Sequence, residues 1–190
     1  MGQACWFFRD DGEWRAIVER LKQTPCPHCQ VVGALNQHGC LYGPYKSRLR
    51  EKTLRARRVF CSNRHARPGC GRTFSVWLAD KIRRLSLTTG ALWRFLQAAV
   101  AGSLVAASRP VDCRLSDRTW QRIWKRFDLA QSKIRTALCG RCPPPESLPR
   151  PPANPARQPA AQVLAHLQAA CPDVRCPIAD FQLTMRAFFM

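Results

Sequence analysis

Acidic residues, tyrosines and long apolar runs are all scarce in these 190 residues, and each scarcity removes a class of function. Only 12 Asp plus Glu stand against 31 Lys plus Arg, for a formal charge of +19. Metal-dependent strand transfer gathers several carboxylates around a pair of divalent ions. Here Asp10, Asp11, Glu13, Glu19 and Glu51 lie early, and the remaining acids are scattered where caps, turns and helix surfaces are expected. The only tyrosines, Tyr42 and Tyr45, sit inside a cysteine-bounded stretch, which argues against a tyrosine-nucleophile recombinase. A zinc deaminase needs a His/Cys-x-Glu motif ahead of its PC-x2-C, and none precedes Pro25-Cys26. A thioredoxin-like role for Cys26 and Cys29 lacks the surrounding βαβ pattern. No enzyme is therefore expected. The absence of any apolar run of about 18 residues predicts no membrane span. The stretch Met1 to Phe8 lacks the basic and long apolar regions of a secretory signal, and Trp6 stands where a myristoylation site wants Ser or Thr. A reducing cytoplasm is the expected location, where closely spaced cysteines read as metal ligands before disulfides. The cysteine count, 11, is odd, which also argues against a complete disulfide framework.

The positive charge is unevenly spread. Residues 1–25 carry four basic and four acidic groups, and residues 26–84 carry 13 and two. Residues 85–138 carry nine and three, and residues 139–190 five and three. A polyanion-binding surface is expected on the middle two segments, with duplex DNA as the first candidate partner and no membrane partner.

The cysteines of the first basic segment follow C-x2-C-x31-C-x8-C: Cys26, Cys29, Cys61 and Cys70. A C-x2-C loop lets two thiolates converge on one ion while backbone N–H groups turn toward the sulfurs, and zinc prefers four such ligands in a tetrahedron. The pattern predicts a four-cysteine zinc ribbon over residues 26–80 with Zn2+ as cofactor. Its second half is unusual, because x2–4 is the common spacing. Pro68-Gly69-Cys70-Gly71 still offers a tight turn, so Cys61 and Cys70 read as a knuckle with an inserted loop. His65 inside that loop is an alternative ligand. Arg57-Arg58-Val59-Phe60 and Thr73 to Leu78 read as strands flanking the knuckle. Arg55, Arg57, Arg58 and Arg72 are the candidate nucleic-acid contacts of the ribbon.

Elsewhere the period is helical. Trp14, Ile17, Val18 and Leu21 predict an N-terminal helix within residues 1–25, capped by Asp10 or Asp11. Cys5-Trp6-Phe7-Phe8 reads as either a short strand or a sticky end. Residues 85–138 predict three helices. The first carries Leu92, Phe95, Leu96 and Ala99 and stops at Gly102; the second is short, over 103–108 and ended by Pro110; the third starts at Ser116. In the third, Trp120, Ile123, Trp124 and Phe127 form the stripe to be buried, continued loosely by Ile134 and Leu138. Arg118, Gln121, Arg122, Lys125 and Arg126 form the opposite face. Helix, short helix, turn and basic helix is the order of a helix-turn-helix, and Gln and Arg are the side chains that read adenine and guanine edges. Trp93, Trp120 and Trp124 are expected in the core. Residues 139–159 read as a Pro-rich linker, with eight prolines between 143 and 159, and residues 160–190 as a helical tail that docks on the body or serves a partner. Cys139, Cys142, Cys171 and Cys176 are a weaker candidate for a second metal site.

Four pieces together carry a family resemblance. They are the Cys26-Pro27-His28-Cys29 opener with Asn36-x-His38-Gly39, the Arg57-to-Phe60 run into Cys61, the Gly69-to-Phe74 run, and the helix start Leu115-Ser116-Asp117-Arg118-Thr119-Trp120-x2-Ile123-Trp124. The combination, over roughly residues 24–130, resembles the small zinc-ribbon/helix-turn-helix DNA-binding proteins of bacterial insertion sequences and transposons. That resemblance implies a transposase subunit, accessory factor or regulator of a mobile element, acting on duplex DNA at the nucleoid. A separate transposase or recombinase is an implied partner, and a homodimer is compatible with it. The x8 spacing and the absence of a catalytic domain depart from that group. The sequence-level expectation is thus a small α+β chain: N-terminal helix, zinc ribbon, helix-turn-helix and Pro-rich tail. An RNA-binding ribbon, or an adaptor recruiting a recombinase, is the alternative.

Overall fold

The computed structural model describes residues 6–45, 48–109, 111, 115–148, 152 and 154–190. The chain starts with a short strand, β1 (Trp6–Phe8), which resolves the two readings of that stretch in favour of the strand. Asp10 then caps helix α1 (Asp11–Arg20), its carboxylate accepting from the Glu13 N–H at 2.9 Å. This satisfies one of the N–H groups that a helix start leaves open. Three strands follow: β2 (Leu35–Tyr45), β3 (Arg48–Cys61) and β4 (Thr73–Leu78).

The four strands form one sheet in the order β1-β4-β3-β2. β2, β3 and β4 are antiparallel neighbours, whereas β1 runs parallel to β4, with Phe7 opposite Trp77. The N-terminal segment therefore belongs to the sheet rather than preceding it. Phe8, Trp14 and Leu21 enter one apolar cluster with Leu35, Val59, Val76 and two of the cysteines, Cys26 and Cys61.

The second half is helical. Thr88, Ser103 and Ser116 cap α2 (Thr89–Ala101), α3 (Leu104–Ser108) and α4 (Asp117–Cys139). In each, the hydroxyl accepts from the N–H three residues on. The 23 residues of α4 are one unbroken helix, so Ile134 and Leu138 extend the buried stripe of Trp120, Ile123 and Phe127. Phe95 of α2 stacks on Trp120, with ring centroids 4.4 Å apart.

After the proline-rich stretch come α5 (Gln158–Ala170) and α6 (Pro177–Met185). The tail docks on the body. Val163, Leu167, Ile178, Phe181 and Phe189 join the same buried cluster as α2 and α4. Arg157, just before α5, donates to the carbonyls of Ala99 and Gly102 at the end of α2, and its guanidinium lies 5.4 Å from the Trp124 ring. It thereby satisfies acceptors that a helix C-terminus leaves exposed.

Two cores thus stand side by side, and particular contacts join them. Buried Gln182 donates to the carbonyls of Ala79 (2.8 Å) and Lys81 (3.1 Å) and accepts from the Phe189 N–H (3.3 Å). Phe188 meets Phe7 and Trp77 edge-on, at 5.2 and 5.4 Å. No helix among the described residues is long and apolar enough to cross a membrane.

Candidate metal centre and basic surfaces

Cys26, Cys29, Cys61 and Cys70 converge, with all four sulfurs within 4.8 Å of one another. The Cys26–Cys70 pair is 3.9 Å apart and the Cys29–Cys61 pair 3.7 Å. A disulfide would need about 2.05 Å. A tetrahedral ion with metal–sulfur bonds of about 2.3 Å has sulfur–sulfur edges of about 3.8 Å, so these separations fit a single tetrahedral ion.

The two halves of the site are built alike. In the first, the Cys26 N–H donates to the Val31 carbonyl (3.0 Å) and the Gln30 N–H donates to the Cys26 carbonyl (2.9 Å). In the second, the Cys61 N–H donates to the Arg72 carbonyl and the Gly71 N–H donates to the Cys61 carbonyl, both at 2.9 Å. The residue after each second cysteine takes a left-handed backbone: Gln30 at φ 62° and Gly71 at φ 71°. The x8 spacing is reconciled with this symmetry by a neck, in which the Gly69 N–H donates to the Ser62 carbonyl at 3.1 Å. Residues 63–68 bulge out beyond that neck and are exposed, leaving Ser62 and Gly69 in the places of an ordinary x2 loop.

Gly69 is required there. A Cβ at Gly69 would lie 2.2 Å from the Ser62 carbonyl oxygen and 2.8 Å from the Cys61 sulfur. Gly69→Ala should push the neck and the ligand apart and lower metal affinity by about 10–100-fold, the usual cost of disturbing groups that orient ligands. Competition with a chromophoric chelator measures it, and an unchanged affinity would show that the neck is not tight.

Backbone N–H groups point at the sulfurs, as thiolate ligands need. His28 N–H lies 3.4 Å from the Cys26 sulfur and Cys70 N–H lies 3.3 Å from the Cys61 sulfur. A hydrogen bond from the Val31 backbone brings the Cys29 thiol down to about 7, whereas burial pushes the Cys61 thiol up to about 12. Four thiols this close cannot all ionise without a cation between them, because the charges repel. His65 sits on the exposed loop, with φ 52°, outside the cluster. Cys139, Cys142, Cys171 and Cys176 form no second cluster among the described residues. Instead the Cys171 thiol donates to Asp180 at 3.2 Å, and burial together with that carboxylate raises it to about 12.

The basic residues separate into two kinds. Arg55, expected at a nucleic-acid surface, is instead 7% exposed. Its guanidinium donates to the carbonyls of Ile82 and Leu85, and burial lowers its pKa against the raising effect of Asp80. It crosses Gly43, where a Cβ would come within 2.3 Å of the Arg55 Cδ, so this pair is a brace between the sheet and the helical half. Arg57 is half-buried, pairs with Asp11 at 2.6 Å and lies 5.5 Å over the Trp14 ring. These two arginines are spent on the fold; sequence alone hid this, because an inward arginine in a basic strand looks like its neighbours. Arg58 and Arg72 are exposed.

On α4, Arg118, Gln121, Arg122 and Lys125 are exposed and Arg126 is partly so, while Trp120, Ile123 and Phe127 on the other side are buried. The helix therefore has one face committed to the core and one polar, basic face in solvent. The connection from α3 to α4 spans residues 109–116, longer than the three- to four-residue turn of the simplest helix-turn-helix. Against family models, curated proteins and solved structures, the chain matches none.

Proposed function

We propose that this is a DNA-binding protein without a catalytic centre of its own, held together by a structural zinc and reading duplex DNA with α4. The observation that carries it is the two-faced α4, whose exposed side presents Arg118, Gln121, Arg122 and Lys125 on a chain of net charge +19. Arg and Gln are the residues that bond bidentately to guanine and adenine edges, and an α-helix fits the major groove. The order α2, α3, α4 supports a helix-turn-helix with a lengthened turn. Four thiolates with no carboxylate or imidazole favour zinc over harder ions, and their closed set of four favours a structural ion over a catalytic one. Service to a mobile element, beside a separate transposase or recombinase and at the nucleoid, is the narrower reading and rests on the sequence resemblance.

Titration of the full-length, metal-loaded chain with labelled duplex DNA tests the proposal. Binding should weaken steeply as salt rises, because phosphate contacts release counterions. Arg122→Ala combined with Lys125→Ala should cost roughly tenfold or more at fixed salt, given about 1–3 kcal/mol for a base-reading side chain. Undiminished DNA affinity in that variant, or tighter binding to single-stranded RNA at the same salt, would sink the assignment.

A further inference from the structure

Residues 63–68 take no part in the metal geometry. The backbones of Ser62, Gly69 and Gly71 close the neck and the turn that set Cys61 and Cys70 in place. The segment beyond the neck is exposed throughout. It runs Asn63-Arg64-His65-Ala66-Arg67-Pro68, with two arginines and no acid. His65 and Ala66 both take left-handed backbones, at φ 52° and 58°. Residues with side chains seldom do so, and less often in succession. The turn is held in that shape by the Arg67 N–H donating to the Arg64 carbonyl (3.2 Å) and the Arg64 N–H donating to Ser62 Oγ (3.3 Å). Strained backbone of this kind persists where it positions a group with a function.

What this turn positions is charge. Asn36 on β2 lies opposite Phe60 on β3, and residues opposite one another in an antiparallel pair place their side chains on the same face. The Asn36 amide is oriented by its Nδ2, which donates to the Ala34 carbonyl at 2.9 Å. Its Oδ1 accepts from Lys22 Nζ at 2.6 Å and from Arg67 Nη1 at 3.4 Å. The Arg64 guanidinium lies 5.8 Å over the Phe60 ring. Three exposed cations, one from the turn after α1 and two from the inserted loop, thus stand over neighbouring side chains of one sheet face. Lys22 and Arg67 share one neutral oxygen, so two hydrogen bonds are all that separate their charges. Among the described residues, none of the three enters an ion pair. Like charges this close repel. An anion with several acceptor oxygens relieves that repulsion, and phosphate is the anion that Arg and Lys both bind well.

We propose that Lys22, Arg64 and Arg67 form a binding site for the phosphate backbone of duplex DNA, carried by the loop inserted between Cys61 and Cys70. The proposal rests on the DNA-binding reading above and adds a contact on the sheet half, separate from α4. It also gives the x8 spacing a use: the metal needs only Ser62 and Gly69 between the two ligands, and the extra residues bring two arginines to Lys22. The contact is independent of Arg55 and Arg57, which the fold uses internally.

Two variants test the site, each measured as the metal-loaded full chain on one random-sequence duplex. Deleting residues 63–68 joins Ser62 to Gly69 and leaves the common x2 spacing. The Gly69 N–H already meets the Ser62 carbonyl, so the join needs little movement. The deletion should keep its metal, while the slope of log affinity against log salt becomes shallower by about one to two, at about 0.9 per phosphate contact. Lys22→Ala, Arg64→Ala and Arg67→Ala combined keep the loop's length and should flatten the slope by about two to three. A wild-type slope in the triple variant, or in a deletion that holds its metal, would overturn the site; should the deletion lose its metal, the triple variant decides. If the slope stays at wild type while Arg122→Ala with Lys125→Ala still weakens binding, the loop site falls and the α4 reading stands. If the wild-type chain does not bind duplex DNA, or prefers single-stranded RNA, both fall together.

Discussion

Cys61→Ser should strip the metal and unfold the sheet while leaving most of the helical signal in place. Cys61 is fully buried, belongs to the apolar cluster on the sheet and accepts the Cys70 N–H. A serine hydroxyl is a poor replacement for a thiolate ligand, and the apolar cluster beside the site is the smaller of the two, with nine buried residues against 22 in the helical half. Structural zinc contributes about 10–16 kcal/mol in small zinc-binding peptides at neutral pH, as much as the whole stability of a typical domain. Loss of one ligand should therefore collapse β2, β3 and β4 together, with β1 released from β4. Metal content and hydrogen exchange on the sheet amides measure this. Stoichiometric metal and native protection in the variant would show that Cys61 is not a required ligand, and a wild-type chain that takes up no metal would show that the four thiols are only core packing. The wild-type chain should also lose metal as pH falls. Its ligands must be thiolates, so protons compete with the ion. Cys29, already lowered to about 7, ionises readily near neutrality, and Cys61, raised to about 12, is the ligand that most needs the cation to give up its proton. Affinity should rise steadily with pH through the neutral range.

Trp120→Ala should have the complementary effect. Trp120 is 2% exposed, stacks on Phe95 and lies among Ile123 and Phe127 in the helical core. Truncating so large a buried side chain costs about 3–5 kcal/mol, from lost burial and the cavity left behind. Denaturant unfolding followed by helical circular dichroism should show that loss, while the cysteine site keeps its metal. DNA binding should weaken only as far as α4 loses its support. A variant of wild-type stability that lost DNA binding would instead make Trp120 a contact residue. Together the two substitutions test whether the two apolar clusters melt apart. The Gln182 and Arg55 bridges between them set how much of one half's damage reaches the other.

The local features were legible from the sequence. The cap at Ser116, the cap expected at Asp10 or Asp11 and found at Asp10, the helical periods of α1, α2 and α4, and the strand leading into Cys61 follow from short-range pattern, and the structure has them. Cys26 and Cys29 were recognisable because their chemistry depends on spacing alone. The Cys61–Cys70 half was legible only as an anomaly. Its x8 spacing becomes ordinary once the Gly69 N–H closes a neck on the Ser62 carbonyl. Conversely, Arg55, Arg57 and Arg58 read alike as surface cations of one basic strand. A count of charges cannot distinguish Arg55, whose guanidinium meets carbonyls 27 and 30 residues away, from exposed Lys52.

By itself, then, the sequence determined the helices, the excess of positive charge and the four sulfurs. Propensity, capping and ligand type are properties of residues a few positions apart. Only the tertiary structure decided that β1 joins β4 in parallel, that the tail docks against α2 and α4, and that Cys61 and Cys70 come together with Cys26 and Cys29. It alone decided which arginines remain outside. Each of these depends on a meeting between segments distant in the chain, where register and burial are set by the complementary surface and not by the neighbouring residues.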